Sequence, residues 1–584
     1  MSTELRRARS RQMVIFLLGC AGMITLLGRL YYWQVWQSGQ LTRLANSEHI
    51  QNQILNAPRG LIYDVEGHLL ATNVVRDDVY ITPLQFASDF ADNYPAELST
   101  EVHALHQVLP SVSEDQLKKD FSLSLQAVRV AEQIDPGQSQ KLRNLHLPDT
   151  FLQPQTWRIY PGGDLASQIV GYVHDGKGIY GIEAKYNKLL AGKAGSFTAE
   201  TDLNGNPLTV GATSEQDAVK GTDLRLTIDS FIQYYVQSAL QDAVKQLGGQ
   251  SGTVVVLNAD SGAIVAMAGY PTFDPNNYGD FADQKGCIGS EDVYFTPALF
   301  CDYEPGSTMK SVTMAAALDQ HVITPDTSIN DPGYLTFSNG TPTVHNWNDE
   351  SYGKETMTQV LEHSANVGAA SVASQLGADR YYPYLKGFGF GQSIGLFSPE
   401  DPGGYRTNQS AGWTESDLTR QAFGQSITAS PLQVARAYQA IANGGVMMQP
   451  YILASINANG HAGPYYQHST QPQTLRRVIS AETSKTLTGM LVSTAEYNNI
   501  TLPDYSVAIK TGTATTQGLS TDQTEASVAG FLPASNPQFV ILVKVDRPQK
   551  TIYGGTAAGP LWKAIAQQLV LHYSIPPDQS VRAQ

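Results

Sequence analysis

"YEPGSTMKSVTMAAALDQ", Tyr303 to Gln320, sets Ser307 three residues before Lys310. Met314, Ala315, Ala316, Ala317 and Leu318 are good helix formers and mostly apolar, so the spacing predicts a buried helix. Pro305 and Gly306 make a tight turn just before it. Ser307 therefore falls at a helix N-terminus, with Lys310 one turn on along the same face. A lysine at the start of a buried helix is costly unless it has a role. Burial lowers the pKa of a lysine, and a neutral lysine is a base. The N-terminal amides point at whatever Ser307 attacks and can hold an oxyanion. The plainer alternative is a helix-capping serine.

The letters S-x-x-K occur again in "NDESYGKETMTQ", as Ser351 and Lys354. That stretch is polar, acidic and turn-like. Lys354 beside Glu355 reads as a solvated loop charge. Ser307 is accordingly the expected nucleophile, and Ser351 a loop residue.

Acyl transfer on this plan needs two further elements. One is a polar pair that relays a proton and holds a substrate amide. The other is a cation with hydroxyls that holds a carboxylate. S-x-N occurs at Ser328/Asn330, Ser364/Asn366 and Ser455/Asn457. "TMTQVLEHSANVGAASVASQLG" favours Ser364, which falls between two helical runs where side chains project into a cleft. K-T-G occurs once, at Lys510, Thr511 and Gly512, on an expected strand and followed by Thr513. Glycine in a strand marks close approach of another backbone or a ligand. Here it would let a substrate lie along the strand edge. Taken singly, each motif also fits a polar loop or a strand end.

The chain of 584 residues is long enough for two or three domains with sizeable cores. Its formal charge of −15 argues against a nucleic-acid partner. No Gly-rich phosphate loop and no Cys/His cluster with zinc spacing is visible, so no cofactor and no metal is expected.

"MSTELRRARSRQ" carries Arg6, Arg7, Arg9 and Arg11, and "MVIFLLGCAGMITLLG" and "RLYYWQVW" follow. From Met13 through Val35 there are 23 residues with one charge, Arg29. A helix of that length spans roughly 30 Å of hydrocarbon. Tyr31, Tyr32, Trp33 and Trp36 suit an interfacial belt. The basic leader places the N-terminus in the cytoplasm and the rest outside. The apolar core is long for a cleaved signal peptide, and no A-x-A-like site follows. Of three cysteines, Cys287 and Cys301 then lie outside, where a disulfide is permitted. Two unpaired core residues are the alternative.

Residues 37 to about 215 look like a mixed α/β spacer, with a turn at Glu66-Gly67 and a helical pattern from Pro95 to Leu145. Beyond it come the strand "TDLRLTID", the helix "SFIQYYVQSALQDAVKQL" capped at Asp229 or Ser230, and the hairpin "GTVVVLNADSGAIVAMAGYP". "SVAIKTGTATT" and "ASVAGFLPASNPQFVILVKVDRP" give three more strands, and "AGPLWKAIAQQLVLHY" a closing helix. Strand hairpins at both ends with helices between predict one antiparallel sheet covered by helices.

Ser307/Lys310, Ser364/Asn366 and Lys510/Thr511/Gly512 come in the order and context of the penicillin-recognising acyl-transferases. The chain resembles class B penicillin-binding proteins over nearly its whole length. "APRGLIYDVEGHLLATN", "RIYPGGDLASQIVGYV" and "GIYGIEAKYNKLLAG" look like their pedestal. "YEPGSTMK", "AFGQSITASPLQVARAY" and "YGGTAAGPLW" look like their transpeptidase domain. The resemblance implies an α+β penicillin-binding transpeptidase fold, an antiparallel sheet covered by helices plus an all-helical subdomain. It adds an N-terminal mixed α/β pedestal and a single transmembrane helix. The expected boundaries are a cytoplasmic tail at 1–12, an anchor at 13–36, a pedestal at 37–220, a transpeptidase domain at 221–575 and a tail at 576–584.

The implied activity is a monofunctional serine D,D-transpeptidase that cross-links peptidoglycan stem peptides and is acylated by β-lactams. In that scheme Ser307 attacks the penultimate D-Ala carbonyl, and Lys310 is the general base. Ser364 relays the proton and Asn366 holds the peptide amide. Lys510 supports the hydroxyl network, while Thr511 and Thr513, flanking Gly512, bind the terminal carboxylate. The N–H groups of Ser307 and Thr513 form the oxyanion hole. The family often has an N-R pair shortly before the nucleophile block, and "FTPALFCDYEPGS" has none. Implied partners are a membrane glycosyltransferase and division or elongation proteins, with division preferred. A β-lactamase would lack the pedestal, and a bifunctional relative would need a glycosyltransferase domain. An inactive scaffold is the non-enzyme alternative.

Overall fold

The computed structural model describes residues 2–41, 50–200, 213–287, 292–336, 344–398, 400–458, 466–515 and 523–578. Parts of the expected pedestal, 42–49 and 201–212, and the tail residues 579–584 lie outside them.

The sheet that carries the site begins with an uninterrupted apolar run. β1 (Ser251–Asn258) and β2 (Ile264–Tyr270) form the expected hairpin around the Asp260-Ser261-Gly262 turn. β3 (Ala508–Thr515), β4 (Thr524–Leu532) and β5 (Phe539–Asp546) complete a five-stranded sheet in the order β2-β1-β5-β4-β3. Each neighbouring pair is antiparallel. Such near-continuous Val, Ile and Leu runs mark strands buried on both faces.

Helices cover both faces. On one lie α1 (Ser230–Leu247) and, at the far end of the chain, a helix at Gly559–His572. Asp229 caps α1, its Oδ1 accepting from the amides of Phe231 and Ile232. Ile232, Val236 and Leu240 from α1, with Trp562 and Ile565, pack on Val254, Val256, Ile541 and Val543. On the other face lies α2 (Lys310–Asp319), whose residues from Lys310 to Leu318 are all buried, as the alanine-rich stretch predicts. It joins α3 (Met357–Glu362), α4 (Asn366–Leu376) and α5 (Pro431–Ala442) in the larger core.

Residues 59–191 belong to the same compact unit. The strand Leu69–Ile81 pairs with Thr150–Ile159 over ten residues, from Thr72↔Ile159 to Ile81↔Thr150. Pro95–Leu145 departs from the uniformly helical reading. Helices Tyr94–Val108, Glu114–Phe121 and Pro136–Leu145 form, but Val128–Ile134 is a strand. Val128 and Val130 alternate with Arg129, and the segment pairs with Leu69–Ile81, so pairing overrides the helical pattern. Glu183 is fully buried between Arg59 Nε at 2.6 Å and Arg158 Nε at 2.7 Å.

The second unit, 1–58 with 192–220, holds the N-terminal helix Ser2–Tyr31 and a three-stranded antiparallel sheet, Ile50–Leu55, Gly195–Glu200 and Thr213–Gln216. The helix runs on as a wider turn through Tyr32–Trp36. Met13–Trp36 is long and apolar enough to cross a membrane.

Candidate active site

Ser307 stands in a tight 3₁₀ turn, Gly306–Met309, that feeds straight into α2. Its side chain caps neither helical segment, so the capping-serine alternative falls. The turn needs Gly306, whose φ is +58° and where a Cβ would be crowded 3.1 Å from Thr513 O and 3.3 Å from Ala514 Cβ. The nucleophile turn is thereby pressed against β3.

Lys310 is completely buried. Its Nζ lies 3.0 Å from Ser307 Oγ, 3.2 Å from Ser364 Oγ and 2.8 Å from Asn366 Oδ1, and it also donates to the Ser364 carbonyl. Those are four oxygen contacts, and an ammonium has three protons. Two of the oxygens are carbonyl-type and can only accept. Two of the amine's positions serve the Ser364 carbonyl and Asn366, and the third meets one of the two hydroxyls, as a donor from an ammonium or as an acceptor in the neutral amine. Burial first, then the nearby Lys510, hold the Lys310 pKa well below the ordinary lysine range, with Glu355 and Asp331 opposing.

Ser364 occupies the turn between α3 and α4 with φ at +58°, an unusual conformation for serine. Its hydroxyl also receives Lys510 Nζ at 3.0 Å. Lys510, on β3, is fully buried, and burial pushes its pKa down to about 7. Lys510 Nζ lies 3.1 Å from Thr511 O and 3.4 Å from Thr511 Oγ1. Asn366 spends its Nδ2 on His345 O at 3.0 Å, which aims Oδ1 at Lys310.

β3 pairs only with β4 among the described residues, so its other edge is open. Thr511, Thr513 and Thr515 alternate on its half-buried side, while Lys510, Gly512 and Ala514 are buried. Thr513 Oγ1 accepts from Gly554 N at 2.9 Å. Gly512 has an internal reason to be glycine. A Cβ there would stand 2.4 Å from Ser527 Oγ and 3.0 Å from Pro305 O, so the approach it allows is of the protein's own chain.

The structure thus gathers Ser307, Lys310, Ser364, Asn366 and Lys510 around two amines, with Thr511, Gly512 and Thr513 on the bordering strand. The rival motifs lie elsewhere. Ser328/Asn330 sit on the ribbon strand Ser328–Asp331, and Ser455/Asn457 pair with Arg225 and Asp223 in another sheet. Ser351 Oγ donates to Asp331 O at 2.7 Å, and Lys354 is exposed. Glu355 is another matter. Although it stands beside a solvated lysine, it is buried with Asp331 and faces the half-buried His363. Its one signal in sequence is the T-x-x-Q capping box that starts at the next residue, Thr356, and fixes the chain there. Cys287 and Cys301 are disulfide-bonded, with their Cα atoms 6.2 Å apart, which decides between the two alternatives left by the sequence.

A serine, a buried amine touching it, and a second hydroxyl shared by two amines form the working parts of an acyl-transfer site. Comparison with known proteins gives the class a family. The penicillin-binding protein transpeptidase domain matches residues 252–567, and the penicillin-binding protein dimerisation domain matches residues 54–226. The chain belongs to the penicillin-binding proteins that join these two domains.

Penicillin-binding protein PbpB of Mycolicibacterium smegmatis is 30% identical over 591 residues, 94% of this chain and 88% of that protein. Peptidoglycan D,D-transpeptidase FtsI of Escherichia coli is 27% identical over 577 residues, 96% of this chain and 92% of that protein. Among solved structures, penicillin-binding protein 3 of Mycobacterium tuberculosis complexed with ampicillin superposes with a TM-score of 0.67 at 26% identity, covering 91% of this chain and 98% of that one.

Proposed function

We propose that this protein is a membrane-anchored peptidoglycan D,D-transpeptidase that works through a serine acyl-enzyme. The observation that carries the reading is that one buried amine, Lys310 Nζ, lies within hydrogen-bond reach of both Ser307 Oγ and Ser364 Oγ. One group can then take a proton from the nucleophile and deliver it towards a leaving amine.

In the proposed reaction, neutral Lys310 takes the Ser307 hydroxyl proton as Oγ bonds to the penultimate D-Ala carbonyl carbon. The carbonyl electrons move to oxygen, facing the Ser307 and Thr513 amides. The C–N bond then breaks, and the terminal D-Ala leaves with a proton relayed through Ser364. An acceptor amine attacks the ester, passes its proton back along the same path, and frees Ser307. Asn366 would hold the donor peptide amide. Thr511 and Thr513, backed by Lys510, would hold the D-Ala carboxylate, with the donor laid along the open edge of β3 over Gly512. β-Lactams enter the same path and stop at the ester.

The proposed frame keeps the pedestal over 37–220 and the transpeptidase domain over 221–575. Met13–Trp36 is the proposed single anchor, with the arginine-rich leader in the cytoplasm and the catalytic domain outside. A membrane glycosyltransferase would supply glycan strands. Between septal and lateral synthesis we propose septal, which a midcell band of tagged protein would support and a lateral pattern exclude. The reaction is tested by incubating the full chain with a stem peptide ending in D-Ala-D-Ala and an acceptor amine. Release of one D-Ala per new amide bond supports it. D-Ala release without amide formation makes the protein a carboxypeptidase instead.

A further inference from the structure

Glu355 lies on the ribbon strand Gly353–Thr356, opposite Ile329 of Ser328–Asp331. Asp331 is two residues along from Ile329, so the two acids are diagonal neighbours on one face. Both are buried, Glu355 at 2% and Asp331 at 0% exposure. Two carboxylates cannot share a dry site without a proton between them.

The hydrogen bonds say where that proton is. Asp331 Oδ1 accepts from Gly333 N at 2.6 Å, and Oδ2 accepts from Asn346 Nδ2 at 2.8 Å. Both Asp331 oxygens are thus taken up by donors. Glu355 Oε2 faces His363 Nδ1 at 3.0 Å, while Glu355 Oε1 is buried with no donor. A proton on Oε1, donated to Asp331, satisfies both acids at once.

The pair also touches both ends of the Ser364-Ala365-Asn366 turn. His363 immediately precedes Ser364, with Tyr352 stacked on its ring at 4.6 Å and Tyr497 edge-on at 5.5 Å. Asn346, bound to Asp331, accepts from Val367 N at 3.1 Å, just after Asn366.

We propose that Glu355 is a positioning residue for acylation, a neutral carboxylic acid that donates to Asp331 and accepts from His363 and so braces the Ser364 turn from behind. Burial, then the charge of Asp331, then its hydrogen bond push the Glu355 carboxyl up to about 8, and Lys310 opposes them. Among the described residues, Lys310 on α2 is the other charge acting on Glu355, and Tyr352 and Tyr497 pack on His363. Below about pH 8 Glu355 is held neutral. Above it, Glu355 ionises beside Lys310, favours the ammonium and weakens the base.

The inference rests on the acyl-enzyme reading above. Its test is the rate of fluorescent-penicillin acylation of the full chain in detergent, from pH 6 to 9.5, for wild type, E355Q, E355L, H363F and S307A. Glutamine keeps a donor for Asp331 and an acceptor for His363. E355Q is expected to stay within about twofold of wild type below pH 7.5 and to exceed it above pH 8.5. E355L and H363F are expected to fall at least about tenfold at every pH, because the turn is no longer held. Wild-type rates in E355L or H363F overturn the proposal, as does an E355Q as slow as E355L. An acid limb shifted in E355Q also overturns it, since Glu355 would then be ionised at neutral pH. Should E355L fail to fold, H363F, which keeps the stacked ring, decides. Absence of label on wild type would defeat the acyl-enzyme reading itself. Label on wild type and not on S307A, with wild-type rates in the Glu355 and His363 variants, would defeat only this inference.

Discussion

Lys510 Nζ stands 3.0 Å from Ser364 Oγ, across 146 residues of sequence. Lys310 reaches the same hydroxyl at 3.2 Å. Two buried amines this close cannot both be charged cheaply, and Lys510 adds to the burial that already depresses Lys310. A lysine with a lowered pKa is protonated below that value and neutral above it. The base therefore appears as pH rises, and the acylation rate is expected to climb across the pH range below ordinary lysine titration. Arginine at 510 stays charged throughout. Lys510→Arg should cut the rate about 10²-fold or more at every pH in that range, measured by fluorescent-penicillin labelling.

Gly512 is packed against Ser527 Oγ and Pro305 O, the residue two before the nucleophile. Gly512→Ala should destabilise the domain by about 1–3 kcal/mol through overpacking and slow acylation by shifting the Ser307 turn. Ser527→Ala removes the 2.4 Å obstacle and leaves Pro305 in place. The double variant should regain part of the lost Tm and little of the lost rate, as read by thermal unfolding and labelling side by side.

The antiparallel sheet, the buried α2 and the three motif groups were all legible in sequence, because each depends on local pattern. Apolar runs of strand length, an alanine-rich helix and a tight turn carry their own signatures. What pattern could not carry was pairing at a distance. Val128–Ile134 became a strand only because Leu69–Ile81 lies beside it. Glu355 reads as surface because its neighbour Lys354 is exposed, yet a strand turns alternate residues to opposite faces. Gly512 in a strand signals a close approach, but pattern cannot name what approaches, which is Ser527 and Pro305, remote in sequence, on the side a Cβ would fill.

Arg59 and Arg158 both depend on Glu183, which is fully buried. Glu183→Ala strands two buried guanidinium groups. A loss of about 3–5 kcal/mol is expected, seen as a lower Tm. The labelling rate per folded molecule should stay at the wild-type value, because none of these residues reaches Ser307.

Cys287 and Cys301 close a loop with a sequence separation of 14 just upstream of the nucleophile turn. Cross-linking a loop of this size constrains the unfolded chain by about 3 kcal/mol. The Cys287→Ser/Cys301→Ser variant should unfold at lower temperature than the oxidised wild type. A reducing agent should bring the wild type down to the variant's Tm and leave the variant unmoved.

The central claim is that Ser307, and not Ser351, carries the acyl group. Fluorescent penicillin followed by a denaturing gel tests it most directly, on wild type, Ser307→Ala and Ser351→Ala. The account predicts a covalent band in wild type and Ser351→Ala and none in Ser307→Ala. A band that survives Ser307→Ala, or a wild type that takes no label, would contradict it.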